Sequence, residues 1–243
     1  MTSYPLDREA SSEALRLLRQ LSKPEGAGYV TLNTAAFRAH HLLLAEALRL
    51  TNPGDVVFEG GVSSGYFAEA VAEAGRIVDG HELDPLAAEA ARRVCRTVYE
   101  GDLQHFDPSV IDRDYALLLF GDTLEHIPDP GAVLASLRPH LRDGGHLVVS
   151  VPNIANWSIR AQLLAGRFRY TDRGILDRTH MRFYTAETLV EMISSAGFEV
   201  TNLQAAVPVP GVKSERLGVV AHRLGNLRPG LFAYNFVCTA KKR

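Results

Sequence analysis

The sequence predicts an α/β fold: one mostly parallel sheet with helices on both faces and a reversed last strand. Three observations carry that prediction. Residues 55–67, DVVFEGGVSSGYF, read as a buried strand, a glycine-punctuated turn and the start of a helix. Apolar runs of strand length then alternate with helical patterns as far as Asn153. The last apolar stretch, LFAYNFVCTA, alternates as an antiparallel strand does.

Taken in order, Leu15, Leu17, Leu18 and Leu21 form a helical stripe, and a second helix is expected over Ala35 to Leu50. Asn52-Pro53-Gly54-Asp55 is a turn that launches the first strand. Next come a helix from Tyr66, a strand near Arg76–Glu82, a helix from Pro85 through Val94 and a short strand near Thr97–Tyr99. Tyr115 to Phe120 (YALLLF) is a very apolar strand, and Asp129 with Pro130 caps the helix after it. Asp143, Gly144 and Gly145 break the chain before the strand HLVVSVP. After Asn153 the alternation stops. Residues 154–184 read as an insertion, Thr185 caps a helix ending at Gly197, and a strand starts at Phe198. Residues 205–230, rich in proline and glycine, read as a second insertion. The expected division is a helical extension over 1–52 and a ligand-binding domain over 53–243.

Composition excludes several classes. A formal net charge of −2 argues against a general nucleic-acid binder. No 18-residue apolar span exists, and MTSYPLDREASSEALRLL lacks a basic region followed by an apolar one. Neither a signal peptide nor a membrane contact is expected. Cys95 and Cys238 are too few for a disulfide framework and lack metal-type spacing, so a cytoplasmic location is expected.

The turn after Phe58 is built for close approach of a ligand. Gly60, Gly61 and Gly65 let the backbone turn sharply, and the helix behind them points free N–H groups forward. A dinucleotide fingerprint needs glycines at i, i+2 and i+5. From Gly60 the second position is Val62, and from Gly61 it is Ser63, so that pattern fails. The run Glu59-x-Gly61-x-Ser63-x-Gly65 instead resembles the first motif of the class I S-adenosylmethionine-dependent methyltransferases. The strand order, with its last strand reversed, matches their seven-stranded Rossmann-like sheet. The resemblance implies S-adenosylmethionine as cofactor, with S-adenosylhomocysteine as product.

Glu82 closes the second strand in HELDP, where a carboxylate can accept from two vicinal ribose hydroxyls. The plain alternative is a strand-end carboxylate or helix cap. By resemblance, Asp102 accepts from the adenine amino group while the Leu103 backbone touches the ring; a turn aspartate is the bland reading. Phe120, Gly121 and Asp122 are expected to face the sulfonium. Ser63 stands where most members of the family carry glycine, and its retention requires an ordinary backbone angle there.

GDTLEHIPDP places Asp122, Glu125 and His126 at i, i+3 and i+4, on one face if helical. The run resembles the ubiquinone-biosynthesis O-methyltransferase branch. In that branch, and in small-RNA 2′-O-methyltransferases, such residues can hold a divalent metal, with a further histidine downstream. His180 in RTHMRFYT stands at the corresponding place. Asp122, Glu125, His126 and His180 would suit Mg²⁺ or Mn²⁺. Without a metal, His126 or His180 is the candidate general base.

From Trp157 to Tyr184 six arginines stand against two aspartates, interleaved with aromatics. This is where related enzymes place a substrate lid, and arginine forks suit phosphate or carboxylate. The segment also resembles bacterial methyltransferases of glycan and secondary-metabolite assembly, which implies a sugar or polar small-molecule acceptor. Three further readings stay open: N-methylation, an RNA 2′-O-methyltransferase, and a catalytically silent cofactor-binding protein acting through a partner. The N-terminal helices and residues 205–230 can close the pocket or form a homodimer surface.

Overall fold

The computed structural model describes residues 7–21, 36–207 and 215–243. Seven strands are β1 (Val56–Gly60), β2 (Ile77–Glu82), β3 (Thr97–Glu100), β4 (Tyr115–Gly121), β5 (Leu141–Pro152), β6 (Phe198–Ala206) and β7 (Asn235–Lys242). They lie in one sheet in the order β3-β2-β1-β4-β5-β7-β6. Neighbours from β3 to β5 pair in parallel, while β7 runs antiparallel to both β5 and β6. This is the mostly parallel sheet with a reversed last strand.

Alternation along the central strands divides the core into two layers. Phe58, Leu118, Phe120, Val149 and Phe236 point to the face covered by α5 (Pro130–Leu137) and α7 (Ala186–Ser195). Val57, Leu117, Leu119, Val148 and Val237 point to the other, under α1 (Arg8–Leu21), α2 (Ala39–Leu50) and α3 (Tyr66–Glu73). Every residue of α2 from His41 to Leu48 is buried, which marks a helix enclosed on all sides. The α4 helix (Pro85–Ala91) is capped by Asp84.

Some expected boundaries move. Ala35 lies outside the described residues, and α2 begins at Ala39 after a turn. The predicted break at Asp143–Gly145 is an irregularity inside β5: Leu141 already pairs with Tyr115, and Gly144 adopts φ +72° within the strand. The two insertions carry helices: α6 (Trp157–Leu164) in the first, α8 (Glu215–Leu227) and α9 (Pro229–Phe232) in the second. Pro208, Pro210 and Gly211 of the second lie outside the described residues. Leu231 and Phe232, expected in the last strand, belong to α9, where Pro229 starts a helical turn.

Candidate active site

Three parallel strands end at the same edge, where a crossover reversal makes room for a ligand. The turn after β1 is tied to β2: the Gly61 and Val62 N–H groups both donate to the His81 carbonyl, at 2.9 and 3.0 Å. Gly61 has φ +74° and Gly65 φ +83°, conformations that favour glycine. Gly65 is the N-cap of α3 and offers no side-chain cap, so the first-turn N–H groups face the cleft.

Ser63 departs from expectation. Its φ is +51°, the left-handed region, rather than an ordinary angle. The tight turn imposes this, at a cost on the order of 1 kcal/mol for a residue with a Cβ. The Ser63 N–H donates to Glu82 Oε2 at 2.7 Å, which pins the turn to the end of β2. Phe37 and Asp122 are the other described non-glycine residues with positive φ. Asp122 closes β4, and Phe37 precedes the α2 start that packs beside it, so local backbone strain collects at this edge.

Glu82 also accepts from the Leu83 and Asp84 N–H groups, at 2.9 and 3.0 Å. Three of its roughly four acceptor positions are thus taken by the chain. Changing Glu82 to alanine removes both the turn's anchor and the remaining acceptor. Cofactor affinity is expected to fall by ~1–3 kcal/mol, measured by calorimetric titration; an unchanged affinity would refute a role at the ribose. Asp102 caps the 3₁₀ turn Leu103–His105, accepting from Gln104 N–H at 2.9 Å and lying 2.8 Å from His105 Nδ1. These hydrogen bonds, the backbone one first, hold its carboxyl below the usual range. Leu103 is buried in the core.

Glu59 is buried, and its Oε2 has no partner. Burial, and secondarily the Glu82 charge, push its carboxyl up to about 8. Phe120 is fully buried with its ring edge over Gly60, and Gly121 lies against Leu43. Thr123 Oγ1 sits 3.0 Å from the Gly60 carbonyl and 3.2 Å from that of Gly121, joining the ends of β1 and β4.

The expected helical face of Asp122, Glu125 and His126 does not form. Only Leu124–His126 make a turn, a 3₁₀ one, and the left-handed backbone at Asp122 sends that side chain elsewhere. Asp122 Oδ1 accepts from Ser150 Oγ at 2.7 Å and from Asn235 Nδ2 at 2.8 Å. It lines a cavity of about 190 Å³ together with Arg38, His40, Tyr234 and Asn235. Burial holds His40 below the usual imidazole range in spite of the Asp122 charge.

The metal-type set therefore contracts to Glu125, His126 and His180, whose ligand atoms all lie within 4.8 Å of one another. The Glu125 carbonyl accepts from the Met181 and Arg182 N–H groups, at 2.8 and 3.0 Å, and this carries the His180 loop onto the 3₁₀ turn. Asp177 shapes that loop by accepting from the Thr179 N–H and hydroxyl. His126 Nδ1 lies 3.2 Å from the Thr179 carbonyl, and His180 Nδ1 lies 3.2 Å from that of Ile175. Donation from each Nδ1 to its carbonyl would leave the Nε2 lone pairs available. His180 Nε2 is 4.0 Å from Glu125 Oε1. Glu125 is 1% exposed and neither carboxylate oxygen has a partner. Burial, reinforced by Asp122 and Asp177, holds its carboxyl well above the usual range. Burial and the neighbouring His126 hold His180 low. An orphaned carboxyl group beside two imidazoles is a donor set that fits a divalent cation.

Sequence reasoning missed Thr123, Ser150, Thr179 and Asn235. Asn235 carried a signal, an amide opening an otherwise apolar strand; the others become visible only through their contacts. Cavity size is no guide either: a groove of about 520 Å³ between α5 and α7 is lined by none of the candidate cofactor or metal residues.

Residues 32–203 match a family described as a methyltransferase domain. The chain is 28% identical over 174 residues to a ubiquinone biosynthesis O-methyltransferase of Thiobacillus denitrificans, covering 68% of this chain and 73% of that one. It is 27% identical to an uncharacterised 37.1 kDa protein of a Streptomyces fradiae transposon, spanning 61% of that protein. Among solved structures, magnesium protoporphyrin IX methyltransferase from Synechocystis, with bound S-adenosylhomocysteine, superposes with a TM-score of 0.61 at 14% identity, over 96% of each chain. A methyltransferase from Archaeoglobus fulgidus gives 0.58 at 17% identity, over 82% of this chain and 91% of that one. With the motif and sheet order above, these place the chain in the class I S-adenosylmethionine-dependent methyltransferase family.

Proposed function

We propose that the acceptor atom is a hydroxyl oxygen of a sugar or polar, anionic small molecule. The observation that carries this reading is the Glu125–His126–His180 cluster, with its unpartnered carboxylate and two available imidazole nitrogens. A hydroxyl must shed a proton as it attacks carbon, and this cluster supplies the means. S-adenosylmethionine, when bound, supplies an electrophilic methyl group.

The chain's own work has three parts. The glycine turn, Glu82 and the α3 N-terminus hold the donor. Asp122, fixed by Ser150 and Asn235, presents a carboxylate at the strand edge where the donor's positive sulfur would lie. His126, exposed at the cluster's mouth, takes the hydroxyl proton at Nε2 while Nδ1–H stays on the Thr179 carbonyl. The acceptor oxygen then forms the new C–O bond as the methyl–sulfur bond breaks, and the electron pair stays on sulfur. In the alternative arrangement, Glu125, His126 and His180 would hold a divalent ion, which would occupy the His126 Nε2 lone pair and lower the pKa of a hydroxyl beside it in place of the histidine base.

The test is product analysis by mass spectrometry across a panel of hydroxylated sugars and aromatic acids. Methyl groups found only on nitrogen would overturn the reading. With a working acceptor, prior dialysis against chelator is expected to abolish turnover, and Mn²⁺ or Mg²⁺ to restore it, if the cluster works by holding an ion. Full activity in excess chelator would leave the histidine base as the sole mechanism.

A further inference from the structure

The geometry points to a peripheral docking surface for anionic lipid headgroups on the 154–184 insertion. The proposal goes beyond the reading above and does not depend on it. The insertion has a small core of its own, in which Ile159, Ile175 and Leu176 are buried. Ile154 and Phe183 pack against that core and Tyr184 is buried in the main one, yet other apolar side chains of the insertion stand in solvent. Every residue from 163 to 173 is exposed, and Leu164 is 90% exposed. Leu163, Leu164, Phe168 and Tyr170 follow one another along this run, with Trp157 exposed at the other end of α6. That is a large amount of apolar surface for one short segment to leave uncovered.

The charge says what covers it. Among the described residues, Arg167, Arg169 and Arg173 have no carboxylate partner, because the nearby acids are engaged. Asp172 pairs with Arg178 at 2.6 Å, and Asp177 holds Thr179. The tip therefore alternates arginine with apolar and aromatic side chains on a protein of net charge −2. Such a combination sits at a bilayer interface, with apolar groups in the acyl boundary and guanidinium groups on phosphates. Single-stranded RNA would use the arginines and rings but gain little from the Leu163–Leu164 pair.

The surface is continuous with the candidate active site. Tyr170 packs on Phe168 with ring centres 5.4 Å apart, Phe168 on Phe183 at 6.2 Å, Phe183 on His180 at 6.1 Å and His180 on His126 at 4.8 Å. Docking through the tip would hold the histidine pair beside the headgroups. The contact is peripheral, since no helix among the described residues is long and apolar enough to cross a membrane.

Flotation of the whole protein with lipid vesicles tests this. Vesicles of half phosphatidylglycerol and half phosphatidylcholine are expected to bind at least about tenfold more tightly than pure phosphatidylcholine, with the difference lost at high salt. Arg167→Gln with Arg169→Gln should abolish the preference, and Leu164→Asp with Phe168→Asp should lower binding to the anionic vesicles at least about tenfold. Thermal melting tests the fold of each variant; if the double apolar variant melts early, Leu164→Asp alone replaces it. The proposal is overturned if anionic vesicles do not bind. It is equally overturned if the apolar variants bind as well as the parent, or if a single-stranded RNA oligonucleotide displaces the vesicles.

Discussion

Replacing Gly60 with alanine is expected to lower the unfolding free energy by roughly 3 kcal/mol and to reduce cofactor affinity at least tenfold. A Cβ at this position would lie 2.2 Å from Phe120 Cε1 and 2.6 Å from Cδ1. The ring cannot yield, because Phe120 is fully buried and packs on Phe58 with ring centres 6.4 Å apart. Relief must come from the ends of β1 and β4 moving apart, and those ends form the cleft. Gly144→Ala is the control. Its φ of +72° makes alanine strained, but nothing lies within 4 Å of the new Cβ. It should lose about 1 kcal/mol of stability and leave cofactor binding intact. Urea unfolding and titration with S-adenosylhomocysteine read both effects. Native affinity in the Gly60 variant would show that the donor does not use this edge.

Glu59→Gln is expected to remove a pH-dependent loss of stability on the order of 5 kcal/mol. The Glu59 carboxyl is raised from its ordinary 4.5 to about 8 by burial, with the Glu82 charge second. Below pH of about 4.5 both folded and unfolded chains hold the proton, and Glu59 has no effect on the balance. Between about 4.5 and 8 the unfolded chain releases it while the folded chain keeps it, so stability falls as pH rises. Above about 8 the folded state carries a buried, ionised carboxylate and the loss is complete. Glutamine cannot ionise, so its curve lacks this descent. Glu125 is raised in the same direction and is present in both proteins, so the difference between them isolates Glu59. Parallel curves across the window would mean that the folded protein already holds Glu59 as an anion.

Much of this was legible in the sequence because it depends on backbone needs that few residues meet. Gly61 and Gly65 announce a sharp turn, the YALLLF run announces a strand buried on both faces, and Asp129-Pro130 announces a helix start. Elements that alternate one by one announce a mostly parallel sheet, and its strand order is what the family resemblance implies. What stayed hidden depends on single torsions and distant contacts. A left-handed residue is not marked by a serine or an aspartate, so the backbone at Ser63 and Asp122 could not be read. The i, i+3, i+4 spacing assumed a helix, and the chain spent only one 3₁₀ turn there, which separated Asp122 from Glu125 and His126. His180 joined the other two because Met181 and Arg182 bond to the Glu125 backbone, an attachment without a side-chain signature.

Asp122 is held by Asn235, from a strand that inserts between β5 and β6 although it comes last in the chain. During synthesis from the N-terminus, β1 through β6 emerge before the piece that completes their alignment. A nascent polypeptide therefore emerges with the Asp122 carboxylate still lacking its Asn235 partner, and gains it only when β7 inserts between β5 and β6.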